Sequence, residues 1–216
     1  MATPGDMIAQ IEAGYRKTAS YTGHPAPSAA VLAAMRHVPR HAFVRPEDRS
    51  AAHENRPLPI GHGQTISQPY VVALMADLLA TGPRSRVLEV GAGSGYAAAV
   101  LSRIAGEVWA LEVVAELAHA AATRLARQGY TNVHVRHGDG HHGWPEEAPF
   151  DAILVSAATP SVPEALFDQL AVGGILVAPL GPVGGEQMLT RLRKHADGTR
   201  DEEPVLPVAF VPLVGR

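Results

Sequence analysis

The chain has 216 residues, enough for one full α/β core with little left for a second, and 46% of them are hydrophobic. Its net charge of −3 and pI near 6.4 argue against a nucleic-acid partner, whose binding draws on Lys and Arg contacts to phosphate. The chain has no cysteine, which excludes disulfides, thiolate metal sites and a cysteine nucleophile.

No apolar stretch approaches the roughly 18–20 residues of a membrane helix. The first residues carry Asp6 and Glu12 and lack the basic-then-apolar order of a secretory signal. The expectation is a cytoplasmic protein with no membrane partner.

In chain order, the pattern predicts helices over 6–19 and 28–37, then an irregular stretch rich in Pro and Gly as far as Ile66. Ser67 can cap a helix running to Leu79, with Pro69 in the first turn, where a missing N–H costs nothing. From Arg86 onward strands (86–91, 107–111, 133–136, 151–156, 174–180) are interleaved with helices (95–105, 113–128, 163–171). That alternation predicts a mostly parallel sheet with helices on both faces. Two strand-like runs close the chain, Gln187–Lys194 and Val205–Val214, with a charged turn His195–Glu203 between them. They read as an antiparallel hairpin at one edge of the sheet. Ligands of such sheets lie beyond the carboxyl ends of the strands.

The segment Val87–Tyr96 runs from an apolar strand through Gly91, Gly93 and Gly95 into the Ala-rich helix that follows. Glycines are needed where backbone must approach a ligand closely or take positive φ. The next apolar run ends in Glu112, 21 residues past Gly91, where a carboxylate can accept hydrogen bonds from both hydroxyls of a ribose. The pattern is therefore that of a nucleoside-binding domain. A dinucleotide site would show G-x-G-x-x-G aimed at a pyrophosphate, whereas here Tyr96 replaces the last glycine and no Lys or Arg lies between Gly91 and Leu101. The loop resembles the S-adenosylmethionine loop of class I methyltransferases. That resemblance implies a Rossmann-like fold and cofactor contacts from Glu89, Gly91, Ala92, Gly93, Ser94, Gly95, Glu112 and Val113.

After the third predicted strand comes Gly138-Asp139-Gly140. Asp139 can accept from an adenine amino group, or the segment is a plain Asp-Gly turn; with the other two elements in place the adenine role is favoured. The histidines at 134, 137, 141 and 142 are read as loop or surface residues, because Gly138 and Gly140 break the regular spacing a zinc site uses. No metal is expected. Gly93-Ser94-Gly95 lacks the G-x-S-x-G order of a nucleophile elbow. The segment after the 151–156 strand, Ala157-Ala158-Thr159-Pro160, lacks the Asp/Asn-Pro-Pro-aromatic motif of DNA-amine methyltransferases.

Upstream lies Pro57-Leu58-Pro59-Ile60-Gly61-His62-Gly63-Gln64-Thr65-Ile66-Ser67-Gln68-Pro69, which resembles the substrate motif of protein-L-isoaspartate (D-aspartate) O-methyltransferases. Val38–Val44, Val87–Tyr96, Gly138–Gly140 and Phe210–Leu213 match the same family in the same order. The resemblance covers residues 31–213. The first thirty residues match poorly, and His53 stands where many relatives carry an aromatic residue.

The resemblance implies one domain, residues 1–80 forming a helical, substrate-binding segment and 81–216 the cofactor-binding core. It implies S-adenosyl-L-methionine as methyl donor, S-adenosyl-L-homocysteine as product, and isoaspartyl (and D-aspartyl) residues of damaged proteins and peptides as acceptors. A monomer is expected. Ser67 is the implied catalytic group, with Thr65, Ile66, Gln68, Pro69, Val211, Pro212 and Leu213 lining the substrate site.

The acceptor carboxylate, with a reference pKa of about 4, is already a nucleophile at neutral pH and needs no general base. Two rivals remain: a carboxyl methyltransferase dedicated to one peptide or small acid, and a non-catalytic S-adenosylmethionine-binding protein. Ser67 itself is either a substrate contact or merely the cap of the helix after it.

Overall fold

The computed structural model describes residues 2–182 and 184–215; Met1, Val183 and Arg216 lie outside the described residues. Helix α1 (Pro4–Thr22) opens on a capping box, the Asp6 N–H donating to Thr3 Oγ1 at 3.1 Å and the Thr3 N–H to Asp6 Oδ2 at 2.8 Å, which satisfies both amides reciprocally. Met7, Ile11 and Tyr15, four residues apart, bury one stripe of α1, and Tyr15 Oη donates to Asp77 Oδ2 at 2.5 Å. That bond ties α1 to helix α3 (Pro69–Leu78). Helix α2 (Ala29–His37) starts at Ser28, whose hydroxyl accepts from the Val31 N–H.

Between α2 and α3 the predicted irregular stretch holds more order than its composition implies. Two 3-10 turns, Arg40–Ala42 and Pro46–Ala51, precede a hairpin of β1 (Leu58–Gly61) and β2 (Gln64–Ile66). Strands of four and three residues are too short for alternation to be legible. Their turn, Gly61-His62-Gly63, runs through φ +94°, +54° and +71°, a left-handed path that only glycine follows freely. Arg40 braces this region from inside. It is fully buried, donates from Nε to the Ala52 carbonyl at 2.9 Å and from Nη2 to the Arg56 carbonyl at 3.3 Å, and lies over the Tyr96 ring. Burial pushes its guanidinium down to about 10.

The second part alternates β3 (Arg86–Val90), α4 (Tyr96–Leu101), β4 (Glu107–Glu112), α5 (Ala115–Arg127), β5 (Val133–His137), β6 (Phe150–Val155), α6 (Glu164–Gln169), β7 (Leu170–Leu180), β8 (Gln187–Lys194) and β9 (Arg200–Val208). The strands form one seven-stranded sheet in the order β5-β4-β3-β6-β7-β8-β9. It is parallel from β5 to β7 and antiparallel from β7 to β9, as the class I methyltransferase pattern predicts. The order reverses at β3, which lies between β4 and β6, so a ligand crevice belongs beyond its carboxyl end.

Strand alternation assigns the faces. Val87, Val108, Ala110, Ala152 and Leu154 join the core shared with α1–α4, while Leu88, Val90, Trp109, Leu111, Ile153 and Val155 pack with α6 on the other face. The register Glu89↔Ala110 and Glu89↔Leu154 then puts Glu89, Glu112 and Ser156 on the first face.

Several predicted boundaries are corrected. Ser67 is not a cap: α3 begins at Pro69, its N-cap position is Gln68, and no side chain caps it. Helix α4 stops at Leu101 rather than 105, where the Ser102 hydroxyl turns back onto the Ala99 carbonyl at 2.8 Å and competes with the helical ladder. Helix α5 starts two residues later than predicted because the Val114 N–H is taken by the Glu112 carboxylate. Strand β7 begins at Leu170, not 174, running through a bulged register that accommodates Gly173-Gly174.

The last strand is displaced the most. The charged run Arg200–Glu203 belongs to β9, paired to β8, and the turn is only His195–Thr199. Edge strands carry charge on purpose, which disguised this one as a turn. Residues 209–214 leave the sheet and run back over the strand ends, where the Leu213 N–H donates to the Ala158 carbonyl at 2.7 Å and the Ala158 N–H to the Val211 carbonyl at 2.8 Å.

Candidate active site

The glycine loop after β3 is held by backbone alone at its start: the N–H groups of Gly91 and Ala92 both donate to the Leu111 carbonyl, at 2.8 and 2.9 Å. Gly91, Gly93 and Gly95 all take positive φ (+88°, +53°, +84°), which accounts for the spacing read in the sequence. A Cβ on Gly93 would stand 3.2 Å from Ile60 Cδ1 of the β1–β2 hairpin, so the hairpin closes directly over the loop. Gly95 serves the fold, as it starts α4 and leaves room for Leu125 of α5.

Glu112 is 5% exposed. Its Oε2 accepts from the Gly93 N–H at 2.7 Å and its Oε1 from the Val114 N–H at 2.9 Å. A carboxylate offers about four lone-pair sites, so after these two bonds it keeps acceptor capacity for the hydroxyls of a ribose. The crevice beyond the strand ends is lined by Gly91, Gly93, Glu112, Val113, Gly138 and Gly140, by Gln64 and Thr65 of the hairpin, and by Val211–Val214 of the returning C-terminal segment. Gly140 packs its α-carbon against Val90, where a Cβ would collide.

Asp139 lies beside this crevice rather than on its wall. Its Oδ1 accepts from the His141 N–H at 2.9 Å and pairs with His141 Nδ1 at 2.8 Å, capping the 3-10 turn Gly140–His142. The turn is thus present, with Asp139 as its cap.

A deeper recess opens off the same crevice, lined by Glu89, Ala92, Ser94 and Ser156 on the sheet side and by Thr65, Ile66 and Ser67 on the hairpin side. Glu89 is 1% exposed. The Ser156 hydroxyl donates to its Oε1 at 3.3 Å, and its Oε2 has no hydrogen-bond partner among the described residues. Burial pushes its carboxyl up to about 8, against the opposing pull of Ser156 and with a smaller push from the Glu112 charge.

No lysine, arginine or histidine lines the crevice or the recess among the described residues. A ligand there meets acceptors, glycine backbone and hydroxyls. That set suits S-adenosyl-L-methionine: Glu112 for the ribose, the glycine cradle for the amino-acid end, and an orphaned buried carboxylate oxygen for a positive charge.

A second cavity lies on the far side of the hairpin. Thr65, Ser67 and Gln68 form one wall, with Pro57, Tyr70 and Val71, and the other wall is Leu206–Phe210 with Glu186 at the rim. Thr65 touches the crevice, the recess and this cavity, and Ser67 touches the recess and the cavity. Val211–Leu213, read as substrate residues, line the crevice instead. Ile66 is buried against the recess and Pro69 starts α3.

Gln64, Ser156 and Leu206–Phe210 are wall residues that sequence reasoning missed. Ser156 was findable from strand parity with Leu154. The histidines scatter: His134 pairs with Glu107, His137 with the Val113 carbonyl and His141 with Asp139. No group of three or more His, Cys, Asp or Glu is arranged to hold a metal among the described residues.

A model of the protein-L-isoaspartate (D-aspartate) O-methyltransferase family matches residues 23–216. The chain is 51% identical to a Polaromonas sp. protein named protein-L-isoaspartate O-methyltransferase 2, over 97% of this chain and 100% of that one. It is 50% identical to the protein of that name from Syntrophobacter fumaroxidans, over 99% and 87% of the two chains. Its fold is similar to that of a Plasmodium falciparum protein assigned to the same family and crystallised with S-adenosyl-L-homocysteine, with TM-score 0.77, 25% identity, and 96% and 98% of the chains covered.

Proposed function

The chain belongs to the protein-L-isoaspartate (D-aspartate) O-methyltransferase family, and from that premise we propose that it methylates the free α-carboxylate of isoaspartyl residues in damaged proteins and peptides, with Ser67 holding the acceptor. One observation carries the role of Ser67: it stands in the wall between the recess and the second cavity, and α3 does not use it as a cap. Its hydroxyl is therefore not spent on the helix and stands, beside Thr65, where a donor on one side and an acceptor on the other can meet.

S-adenosyl-L-methionine, when bound, supplies a methyl group on a positively charged sulfur that leaves as a neutral thioether. The acceptor carboxylate is ionised at neutral pH; one oxygen forms the new O–CH3 bond as the C–S bond breaks with its electron pair on sulfur. No proton is lost from the acceptor, so no side chain is required as a base. Ser67 donates a hydrogen bond to the second carboxylate oxygen and fixes the line of approach, a neutral contact that leaves the attacking oxygen its charge. The hairpin, pinned over Gly93 through Ile60, keeps water from the meeting point. Glu112 anchors the nucleoside, and Gly138 and Gly140 leave room for its base, with Asp139 setting their turn from beside the crevice.

In this reading residues 1–80 supply the hairpin wall of the acceptor cavity, with Gln64 and Thr65 also reaching the donor crevice, and 81–216 supply the rest of the crevice together with the cavity's far wall, Leu206–Phe210. The protein is cytoplasmic and monomeric, and uses neither metal, nucleic acid nor membrane; its cysteine-free, mildly acidic composition supports the compartment.

The decisive experiment is radiolabelled methyl transfer to an isoaspartyl peptide and to its aspartyl twin. Labelling of the first alone is expected. Equal labelling, or none in a protein that binds the donor, would overturn the proposal.

A further inference from the structure

Two buried carboxylates face the same side of the sheet, yet only one is provided for. Glu112 has two backbone N–H donors at 2.7 and 2.9 Å. Glu89, on the neighbouring strand, has a weak hydroxyl contact at 3.3 Å, a contact from the Ala98 N–H, and an oxygen with no hydrogen-bond partner among the described residues.

The surroundings of Glu89 hold nothing to neutralise it. β4 presents Glu112 and β6 presents Ser156. α4 presents Tyr96 and a contact from the Ala98 N–H, and the Tyr96 hydroxyl is turned toward Met35. The hairpin presents Thr65 and Ser67, and the glycine loop Ser94. Of the cations around that loop and α4, Arg124 donates to the Ser94 carbonyl at 2.7 Å and lies against the Phe43 ring, and Arg40, over the Tyr96 ring, donates to the Ala52 and Arg56 carbonyls.

An uncompensated buried charge costs several kcal/mol, so in the free protein Glu89 holds a proton. The donor carries one more positive charge than the product, and that charge is on the sulfur. The sulfur must lie near Ser67 for transfer to occur, and Ser67 and Glu89 line the same recess.

We propose that Glu89 is a proton-exchanging counter-group of the donor site: it releases its proton when the cationic sulfonium enters and takes a proton back once the neutral thioether has formed. The inference rests on the donor assignment above and adds to it a means of telling donor from product. The cation pairs with an ionised Glu89, while the product leaves a protonated one. Atoms balance over the cycle, with one proton released to solvent on donor binding and one recovered after transfer.

The test is calorimetric titration of the full chain with S-adenosyl-L-methionine and with S-adenosyl-L-homocysteine at pH 6.5, in phosphate and in imidazole buffer. The difference in heat between buffers counts protons, and this pH lies below the range, about 7.7–8.0, in which α-amino groups titrate. Release approaching one proton is expected with the donor and none with the product. Repeating the titrations up to about pH 7.3, still below that range, should show donor affinity rising by up to about tenfold per pH unit, with product affinity flat.

In Glu89→Gln the proton count should vanish and the affinity ratio lose its pH dependence. Should that variant fail to fold, the wild-type proton counts still decide. Equal proton release with both ligands, or a difference that persists in Glu89→Gln, would overturn the proposal. Failure of both ligands to bind would instead bring down the donor assignment, and this inference with it.

Discussion

The donor crevice and the acceptor cavity share Thr65 but are built on different terms. The crevice is made by the ends of β3, β4 and β6, where neighbouring strands fix the loops through backbone bonds: Gly91 and Ala92 to Leu111, Ser156 to Val90, Gly138 to Glu112. Its geometry follows from the sheet. The acceptor cavity is a gap between pieces far apart in the chain, one wall from residues 57–71 and the other from 206–210. It is held by longer reach, through Arg40 bracing the hairpin's approach and Gln187 accepting from the Phe210 N–H at 2.8 Å. On the function proposed above, the site for one invariant ligand is set into rigid backbone and the site for peptides is left to side chains and loops.

The largest effect expected from breaking this arrangement is at Gly93. Gly93→Val adds a branched side chain at φ +53°, against Ile60 and over the Glu112 bond. Donor binding should fall by more than about a hundredfold, since backbone strain and steric overlap act together. Calorimetry on a variant shown to be folded by circular dichroism checks this, and tight binding would mean that the loop is not the donor cradle.

Ser67→Ala tests the shared wall from the other side. A hydrogen bond to a charged group is worth roughly 1.5–3 kcal/mol, so kcat should drop by about ten- to a hundredfold with donor affinity and Tm unchanged, because Ser67 caps nothing. Full turnover at saturating peptide would confine Ser67 to the wall. Ser67→Thr keeps the hydroxyl but crowds the approach, and should lie between the two.

Glu112→Gln sharpens the comparison within the crevice. It loses a charged acceptor and sets an amide against one of two backbone N–H groups, so donor affinity should weaken by about tenfold, with little change in peptide KM at saturating donor. A larger effect on peptide than on donor would blur the division between the sites.

The smallest effect is on stability. The unfolded chain loses the Glu89 proton near pH 4.5, while the folded protein keeps it to about 8. Between those values the folded state binds more protons, so stability falls as pH rises. Glu89→Gln removes the titration, and its Tm relative to the wild type should gain a few degrees on going from pH 5 to pH 8. Parallel Tm curves for the two proteins would mean that Glu89 is ionised in the fold.

The same contrast explains what could be read from the chain. The crevice was legible because Val87–Tyr96 and Glu112 are local and their spacing is dictated by strand-turn-helix geometry. Ser156 escaped because its relevance depends on which strands are neighbours. The cavity's far wall escaped because Leu206–Val208, strand as expected, and the two residues after it meet residues 57–71 only in the fold. The β1–β2 hairpin was hidden by its brevity, and the Ser67 cap was an inference from residue type that the start of α3 at Pro69 removes.

Strand β9 has a consequence of another kind. It is the last strand of the sheet, it carries Arg200, Asp201, Glu202 and Glu203, and it contains Pro204 just before the cavity wall and Pro207 within it. Prolines offer no amide and charges resist stacking, so the edge gives a guest chain no continuous ladder to extend. A protein whose clients are aged and partly unfolded chains is exposed to just such pairing. The edge therefore offers a client no strand to pair with, and on the function proposed above contact with it falls to the cavity beside Ser67.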